Sequence, residues 1–258
     1  MAIEIFQRKE QKYLITMSQY ERLIGYLKPY MRPDRYGING RYTVSSLYFE
    51  SPDYTIYFET KNKLRFRQKL RLRVYDDTHL QSTAFFEVKQ KFKKVVNKRR
   101  TLLPLYQAYQ YISESNQPFS NYDVSNVQVL KEIDYFRKRY QLEPEMIVSY
   151  DRHALHCLDD PDLRMTFDFN LRCRNDDLWL EHGSYGEYFI DPDLVVLEVK
   201  VTHSVPLWLT RILQSLDCKQ RSASKFCTSM ELLKKDIFKL NMEKENVLIG
   251  GTSNGNYF

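Results

Sequence analysis

Short runs in which hydrophobic and polar residues alternate dominate the chain up to about residue 240. Such alternation puts successive side chains on opposite faces and is typical of β-strands. We predict strands over 3–15, 41–50, 65–76, 83–92, 145–152, 163–173 and 194–202, with weaker candidates at 55–60, 95–103 and 178–190. A large antiparallel sheet is the expected result.

Helical periodicity is confined to fewer segments, mostly at joins between strands. Ser18 and Glu21 form a capping pattern ahead of apolar residues at helical spacing. Pro206 fits the first turn of another helix that follows Ser204. Further helices are predicted over about 125–140 and 224–240, with a short one over 104–113. Many strands with few helices predict an α+β fold.

One predicted strand carries a basic residue at every odd position of 65–73. Because alternate residues share a face, these cations all lie on one side of the strand. They are Arg65, Arg67, Lys69, Arg71 and Arg73. Other strands repeat the pattern with the sets Arg8, Glu10 and Lys12; Glu87, Lys89, Lys91 and Lys93; Tyr150 and Arg152; Arg164, Asp168, Arg172 and Arg174; and Glu198 and Lys200.

These charged faces allow two interpretations. An ordinary amphipathic sheet exposes its charged face to water. Here, however, cations cluster well beyond the mixed signs of a solvated face, and the few carboxylates stand beside lysines, as Glu87 does beside Lys89. Neighbouring cations repel unless an anion neutralises them. We therefore predict a closed antiparallel β-barrel, a tunnel with a basic interior, with helices packed on the outside.

Such a tunnel suits a polyphosphate or nucleoside triphosphate. Arginine binds phosphate oxygens through paired hydrogen bonds and lysine acts as a point charge. The sparse carboxylates suit a hard divalent cation that bridges phosphate oxygens. The site is thus predicted to act electrostatically on a phosphoryl group, without a covalent nucleophile.

Length and composition refine this prediction. The 258 residues suit a single domain over 1–240, followed by a flexible C-terminal tail over 241–258. The net charge of +6 favours an anionic partner but leaves nucleic acid, membrane surfaces and phosphate compounds open. The four cysteines form no CxxC pair, and the sequence has no signal-peptide core or membrane-spanning run. We expect a cytoplasmic protein.

Eight short segments also resemble a known family. In chain order they are RKEQKYLIT, SSLYFES, KLRLRVY, FFEVKQK with the following KR, SYDR, RMTFDFNLR, VLEVKV and SKF. Together they resemble the VTC domain, the polyphosphate polymerase branch of the triphosphate tunnel metalloenzymes, from about Phe6 to Leu232. Each segment is short, but eight in the right order are specific.

The resemblance implies an ATP-dependent polyphosphate polymerase, which extends polyphosphate with the γ-phosphate of ATP. It assigns a catalytic set that grips phosphates: Lys12, Arg71, Arg73, Lys89, Arg152 and Arg164. Lys98 and Lys225 are assigned to phosphate binding. Lys200 is added because alternate residues of a strand share a face, which places it beside Glu198. Glu198, with Glu10, is assigned to a Mn²⁺ or Mg²⁺ ion. The expected partners are ATP and polyphosphate or pyrophosphate.

Departures from the family pattern bear on the reaction. The wider family often opens with E-x-E-x-K, but Arg8 stands at its first position. Fewer carboxylates favour a polymerase over a hydrolytic triphosphatase. A basic residue expected three positions before Lys225 falls on Ser222, which leaves the role of Arg221 open.

The sensor and membrane segments of eukaryotic relatives are not found in this sequence. Regulation and membrane assembly are then either supplied by partners, with a membrane protein among them, or missing altogether.

Three alternatives to the polymerase stay open. Water as the acceptor gives an inorganic or nucleoside triphosphatase, and a site without turnover gives a polyphosphate-binding module. A nucleic-acid binder is the third, but the sequence carries no RNP, KH or helix-turn-helix signature. We therefore predict no nucleic acid among the partners.

Overall fold

The computed structural model describes residues 9–93, 95–114, 117–221 and 224–235. The strands are β1 (Lys9–Thr16), β2 (Met31–Pro33), β3 (Arg41–Glu50), β4 (Phe66–Tyr75), β5 (Thr83–Phe92), β6 (Val95–Pro104), β7 (Glu143–Cys157), β8 (Arg164–Arg174), β9 (Glu187–Tyr188) and β10 (Leu194–Val201). The helices are α1 (Met17–Leu27), α2 (Thr55–Lys61), α3 (Leu105–Ser113), α4 (Val127–Tyr140), α5 (Leu207–Ser215) and α6 (Lys225–Leu233). The predicted tail over 241–258 and the predicted strand start over 3–8 lie outside the described residues.

All ten strands belong to one antiparallel sheet. Its main path runs β1-β10-β8-β7-β3-β4-β5-β6, while β2 pairs with β7 and β9 pairs with β8. No helix among the described residues is long and apolar enough to cross a membrane.

The prediction of a closed barrel is wrong. The edge strands β1 and β6 do not pair with each other within the described residues. The free edge of β1 is instead contacted by the segment before α6, where Gln220 bridges to Tyr13 and the Arg221 backbone N–H donates to the Lys12 carbonyl at 2.9 Å. Because this segment satisfies backbone groups of β1, the sheet stays open.

The weak strand candidates gave mixed results. The one at 95–103 is confirmed as β6, but the one at 55–60 is the helix α2. The buried carboxylate of Glu50 accepts the backbone N–H groups of Ile56 and Tyr57 at 2.9 Å each, which holds the first turn of that helix. The candidate at 178–190 contains only a short 3-10 turn and the two-residue strand β9.

An extra residue in β8 changes which side chains belong to the basic face. Asn170 has a φ of 49°, and the pairing of β7 with β8 shifts register at this point. Strand parity therefore fails beyond the bulge. The prediction that Arg172 and Arg174 share a face with Arg164 is wrong: Arg174 donates to loop carbonyls, including that of Gly183 at 2.8 Å.

Two hydrophobic clusters form the core. One packs β1, β8 and β10 against α1 and α5, with Leu23 and Leu209 fully buried. The other packs the β3–β7 side of the sheet against α3 and α4, with Leu105 and Ile133 fully buried. These four helices cover the outer face of the sheet as predicted, and α6 is the exception described below.

Candidate functional site

Strand register brings the charged residues of the separate strands onto one face. Side chains of directly paired residues share a face of the sheet. The pairs Lys12–Glu198, Arg152–Asp168 and Arg71–Glu87 therefore link β1, β10, β8, β7, β4 and β5 on one side. We call this side the basic face; its members include Glu10, Lys12, Tyr42, Ser46, Tyr48, Lys69, Arg71, Arg73, Glu87, Lys89, Lys98, Tyr150, Arg152, Arg164, Thr166, Asp168, Glu198 and Lys200.

The sheet curves so that distant strands face each other across the basic face. Burial lowers the pKa of Lys89 on β5, and the charges of Glu10 and Lys12 on β1 act on it as well. β1 and β5 lie six places apart in the strand order, so only curvature brings these charges together. The basic face is therefore the concave face of the sheet.

Glu198 is the centre of the first charge cluster. Its Oε1 lies 3.1 Å from the Lys12 Nζ and 3.2 Å from the Lys225 Nζ. Its Oε2 lies 3.3 Å from the Lys200 Nζ. Burial acts to raise the pKa of Glu198, but the lysines outweigh it and hold the pKa well below its usual range. The group is an anion at neutral pH.

A second cluster centres on Asp168, whose side chain is fully buried. The Arg152 Nε and Nη2 donate to its two oxygens at 2.7 and 2.9 Å, a paired arrangement that fixes the guanidinium plane. The Lys225 Nζ lies 2.6 Å from the Asp168 Oδ2. Burial opposes ionisation, yet these cations lower the pKa of Asp168.

Glu87 centres the third cluster and is only 1% exposed. The Arg71 Nε and Nη2 both lie 2.7 Å from its Oε2, and Lys98 pairs with its Oε1. Burial acts to raise the pKa of Glu87, but Arg71 and the neighbouring cations hold it far below the usual range. Glu87 therefore positions the basic side chains around it.

The fourth cluster lies where β8 begins. The Arg164 Nη2 donates to the Asp34 Oδ2 at 2.7 Å and to the Tyr42 hydroxyl at 3.2 Å. Asp34 follows β2, and its backbone N–H donates to the Ala154 carbonyl at 2.8 Å. This anchor keeps the carboxylate within reach of Arg164.

Two lysines of the basic face have no carboxylate in contact. Lys69 and Lys89 lie directly opposite each other on β4 and β5, and neither forms an ion pair within the described part of the chain. The Lys69 Nζ lies 3.3 Å from the Ser224 Oγ and 4.6 Å from the centre of the Phe226 ring. Burial lowers the pKa of Lys69 to about 8.

Lys98, next to Lys89 on the edge strand β6, is also easily deprotonated. Burial lowers its pKa to about 7, in spite of its contact with Glu87. Three neighbouring lysines on β4, β5 and β6 therefore share a region in which an added anion is favourable.

Helix α6 places its N-terminus on the basic face, against the prediction that helices lie outside. Ser224 caps the helix by accepting the Cys227 N–H at 3.3 Å. Lys225 follows directly and reaches Asp168 and Glu198, while Phe226 packs on Tyr48 with ring centres 5.3 Å apart. The face is thus completed by a helix rather than by closure of the sheet.

All the predicted site residues lie on this face or reach it. Those residues are Glu10, Lys12, Arg71, Arg73, Lys89, Lys98, Arg152, Arg164, Glu198, Lys200 and Lys225. Their roles in binding and catalysis stay predictions. Arg221, whose role the sequence left open, contributes its backbone N–H to β1, and its side chain is exposed. Ser222, on which the family's further basic position falls, lies outside the described residues.

Several residues of the site were missed from the sequence. Glu87, Asp168 and Lys69 already stood in the same-parity sets, so parity alone was a sufficient signal for them. Asp34 lies outside any periodic segment and had no such signal. The uncharged residues Tyr42, Ser46, Tyr48 and Thr166 of the face, and Ser224, which caps α6, carry no charge that could have signalled the site; Tyr150 is placed with Arg152 by alternation.

The acidic pair assigned to a metal ion lies close together. The Lys12 Nζ is 3.1 Å from oxygens of both Glu10 and Glu198. Within the described residues no group of three or more His, Cys, Asp or Glu side chains is placed to hold a metal ion. Mg²⁺ is commonly bound by one or two carboxylates together with substrate phosphates and water. The pair therefore fits an ion that shares its ligands with a phosphate.

Three solved structures of distantly related sequence align with most of this chain. The adenylyl cyclase candidate HpAC1 from Hippeastrum, for which a dominant triphosphatase activity is described, aligns with a TM-score of 0.50 at 14% identity, over 86% of this chain and 94% of its own. An adenylate cyclase candidate from Vibrio parahaemolyticus aligns with a TM-score of 0.41 at 11% identity, over 85% and 94%. A protein from Pyrococcus horikoshii OT3 aligns with a TM-score of 0.43 at 12% identity, over 88% and 99%.

The likeness to HpAC1 shows a shared fold and nothing about substrate. No curated protein matches the chain significantly. The family model of the VTC domain matches residues 7–234, which include every strand and helix described above. The chain therefore belongs to the VTC domain family.

Proposed function

We propose that this protein is a metal-assisted phosphotransferase that extends polyphosphate with the γ-phosphate of ATP. The observation that carries the proposal is the concave basic face, on which cations outnumber carboxylates and Lys69 and Lys89 have no anionic partner among the described residues. Neighbouring cations repel unless an anion neutralises them, so such a face favours a polyanionic ligand. Membership of the VTC domain family supports the same reaction class.

The basic side chains divide into two groups by their contacts. Arg71 and Arg152 bind carboxylates through two donors each and are thereby held in fixed orientations. Arg73 contacts the Ser46 Oγ at 3.2 Å and the Tyr150 hydroxyl at 3.5 Å, which leaves donors for phosphate oxygens. Lys89 has no ion pair among the described residues. In this proposal Arg73 and Lys89 bind the transferred phosphoryl group. Arg71 and Arg152, which are held by carboxylates, keep the shape of the site.

The state of the carboxylates favours phosphate over water as the acceptor. Glu198, Asp168 and Glu87 all have lowered pKa values, so they are weak bases at neutral pH. Attack by water is helped by a general base, whereas the terminal oxygen of a polyphosphate is already an anion. Carboxylates that are such weak bases give little help to attack by water, so these three side chains support chain growth better than hydrolysis.

Glu198 and Glu10 are the residues that would hold a Mn²⁺ or Mg²⁺ ion in this proposal. When bound, the ion would neutralise part of the phosphate charge and orient the transferred group. A cytoplasmic location and a membrane-protein partner stay predictions.

The first test is incubation of the purified protein with ATP and Mn²⁺, followed by a gel stained for polyphosphate. We expect a ladder of products, lost at least 100-fold in Glu198→Gln, because removing one electrostatic contact to a transition state commonly costs that much. Glu132→Gln is the matched control. Glu132 lies in α4 and pairs with Arg99 of β6 on the face of the sheet opposite the basic face.

The products separate the candidate functions. Free phosphate without a ladder would contradict the polymerase and support a triphosphatase. Tight polyphosphate binding with ATP unchanged would contradict both enzymes and support a binding module. A ladder equally strong in Glu198→Gln would contradict the assigned site.

A further inference from the structure

Thr166 is an uncharged residue of the basic face whose hydroxyl is buried without a hydrogen-bond partner. It lies in β8, directly opposite Glu198 of β10, and its side chain is 0% exposed. Its Oγ1 makes no hydrogen bond within the described part of the chain. Nearly all buried polar groups in proteins are paired, and an unpaired one is costly. This hydroxyl therefore calls for a function.

A second unpaired donor lies beside it. Arg164 is two residues earlier on the same face of β8, about 6.6 Å away along the strand. Its Nη2 is held by Asp34 and Tyr42, but its Nε is buried without a partner among the described residues. Lys200 stands directly opposite Arg164 on β10. Two unfilled donors therefore lie on neighbouring positions of one strand, beside the Lys200 ammonium group that pairs with Glu198 at 3.3 Å.

We propose that Thr166 is a further phosphate-binding residue. Its hydroxyl and the Arg164 Nε–H donate to oxygens of one phosphoryl group, and Lys200 supplies a second positive charge beside it. This inference rests on the proposed function only for the class of ligand, an inorganic polyphosphate. Because Thr166 is fully buried, the proposal requires the side chains that cover its hydroxyl to shift when the phosphoryl group binds.

Because the Thr166 hydroxyl has no partner among the described residues, removing it should weaken phosphate binding without lowering the stability of the free protein. Thr166→Val keeps the shape of the side chain and removes the hydroxyl. Binding of tripolyphosphate in EDTA, measured by calorimetry, is expected to weaken about tenfold, as for the loss of one hydrogen bond to a charged group. The urea midpoint without tripolyphosphate is expected to stay equal or rise, because an unpaired buried hydroxyl has been removed. Thr166→Ser restores the affinity to within about threefold.

Thr101→Val is the matched control. Thr101 is also 0% exposed, but it lies on the opposite face, and its hydroxyl accepts the Asn126 N–H at 3.0 Å. This variant is expected to lose stability and keep its affinity. The inference is overturned if Thr166→Val binds tripolyphosphate as tightly as the wild type, or if it loses stability and affinity together.

The experiment separates this inference from the proposed function. A protein that makes no polymer but shows the expected binding loss in Thr166→Val supports the subsite and rejects the polymerase. A protein that makes polymer and binds tripolyphosphate normally in Thr166→Val rejects the subsite alone.

Discussion

At the scale of single residues, arginines and lysines of the basic face differ in how their charge is balanced. Arg71 and Arg152 have buried carboxylates at hydrogen-bond distance, whereas Lys69 and Lys89 have none among the described residues. A guanidinium keeps its proton under all ordinary conditions, but an ammonium group loses it when burial is uncompensated. The titrating part of the face is therefore formed by the lysines whose pKa values are lowered, among them Lys69, Lys89 and Lys98.

Lys98 provides a prediction on pH. Its lowered pKa of about 7 means that it is protonated below neutrality and neutral above. We expect tripolyphosphate affinity to fall about tenfold from pH 7 to 9, the loss of one charge-assisted contact, although the ligand itself becomes more anionic over this range. Lys98→Arg keeps its charge throughout and should flatten the curve. Calorimetry at three pH values measures both proteins, and an equally steep fall in Lys98→Arg would contradict the assignment.

The charged residues of the site were predictable because alternation fixes the face of each side chain once a strand is recognised. Lys89 and Glu198 could be placed in this way without any structure. Thr166 was not, because an uncharged residue at the same parity gives no signal of chemistry. Asp34 was not, since the pairing that brings it to Arg164 joins segments far apart in sequence.

At the scale of elements, α6 differs most from its prediction. The sequence predicts this helix over about 224–240, but amphipathicity shows only that one side of a helix is buried, not against which surface. Phe226 packs on Tyr48 and Lys225 reaches Glu198, so the helix lies against the basic face. Periodicity carries no information on this choice, although the resemblance of the SKF segment assigns Lys225 to phosphate binding.

Lys225 allows the placement of α6 to be tested. Lys225→Met leaves Asp168 and Glu198 without the cation they share. Removing one partner from a buried ionic cluster costs about 3 kcal/mol, so the free energy of unfolding should fall by about that amount. Urea denaturation measures it.

Lys234, at the end of the same helix, is the control. It pairs with Glu145 at 2.7 Å where both side chains are partly exposed, and Lys234→Met should cost about 1 kcal/mol or less. Equal losses in Lys225→Met and Lys234→Met would contradict a central position for Lys225.

At the scale of the whole molecule, the sheet has the predicted charged interior but not the predicted closure. Parity determines which side chains share a face, yet closure depends on whether β1 and β6 meet, and no local pattern encodes that meeting. Backbone groups of β1 are instead satisfied by Gln220 and Arg221. The fold class was predictable as α+β, and the barrel was not.

The stability of the molecule should depend on pH in a direction set by the lysines of the basic face whose pKa values are lowered. Burial lowers the pKa of Lys69 to about 8 and that of Lys98 to about 7. The unfolded chain keeps both protonated up to about pH 10, so it binds more protons than the folded chain above neutrality. Stability without ligand should therefore rise from pH 7 to 8, while stabilisation by tripolyphosphate shrinks.

Urea midpoints at pH 7 and 8, with and without tripolyphosphate, measure both trends. The buried Cys173 thiol has a raised pKa and opposes the rise, but thiols of the unfolded chain have barely begun to ionise at pH 8. A midpoint that falls with pH in the absence of ligand would contradict uncompensated lysines on the face.

The position of Lys225 also has a consequence for biosynthesis. A ribosome delivers Asp168 and Glu198 before Lys225, so a nascent chain holds these two carboxylates without their shared cation. Until α6 docks, this part of the face is less positive and attracts cellular polyanions less strongly. The basic face is therefore expected to reach its full positive charge only after α6, which follows every described strand in the chain, has been synthesised and has docked.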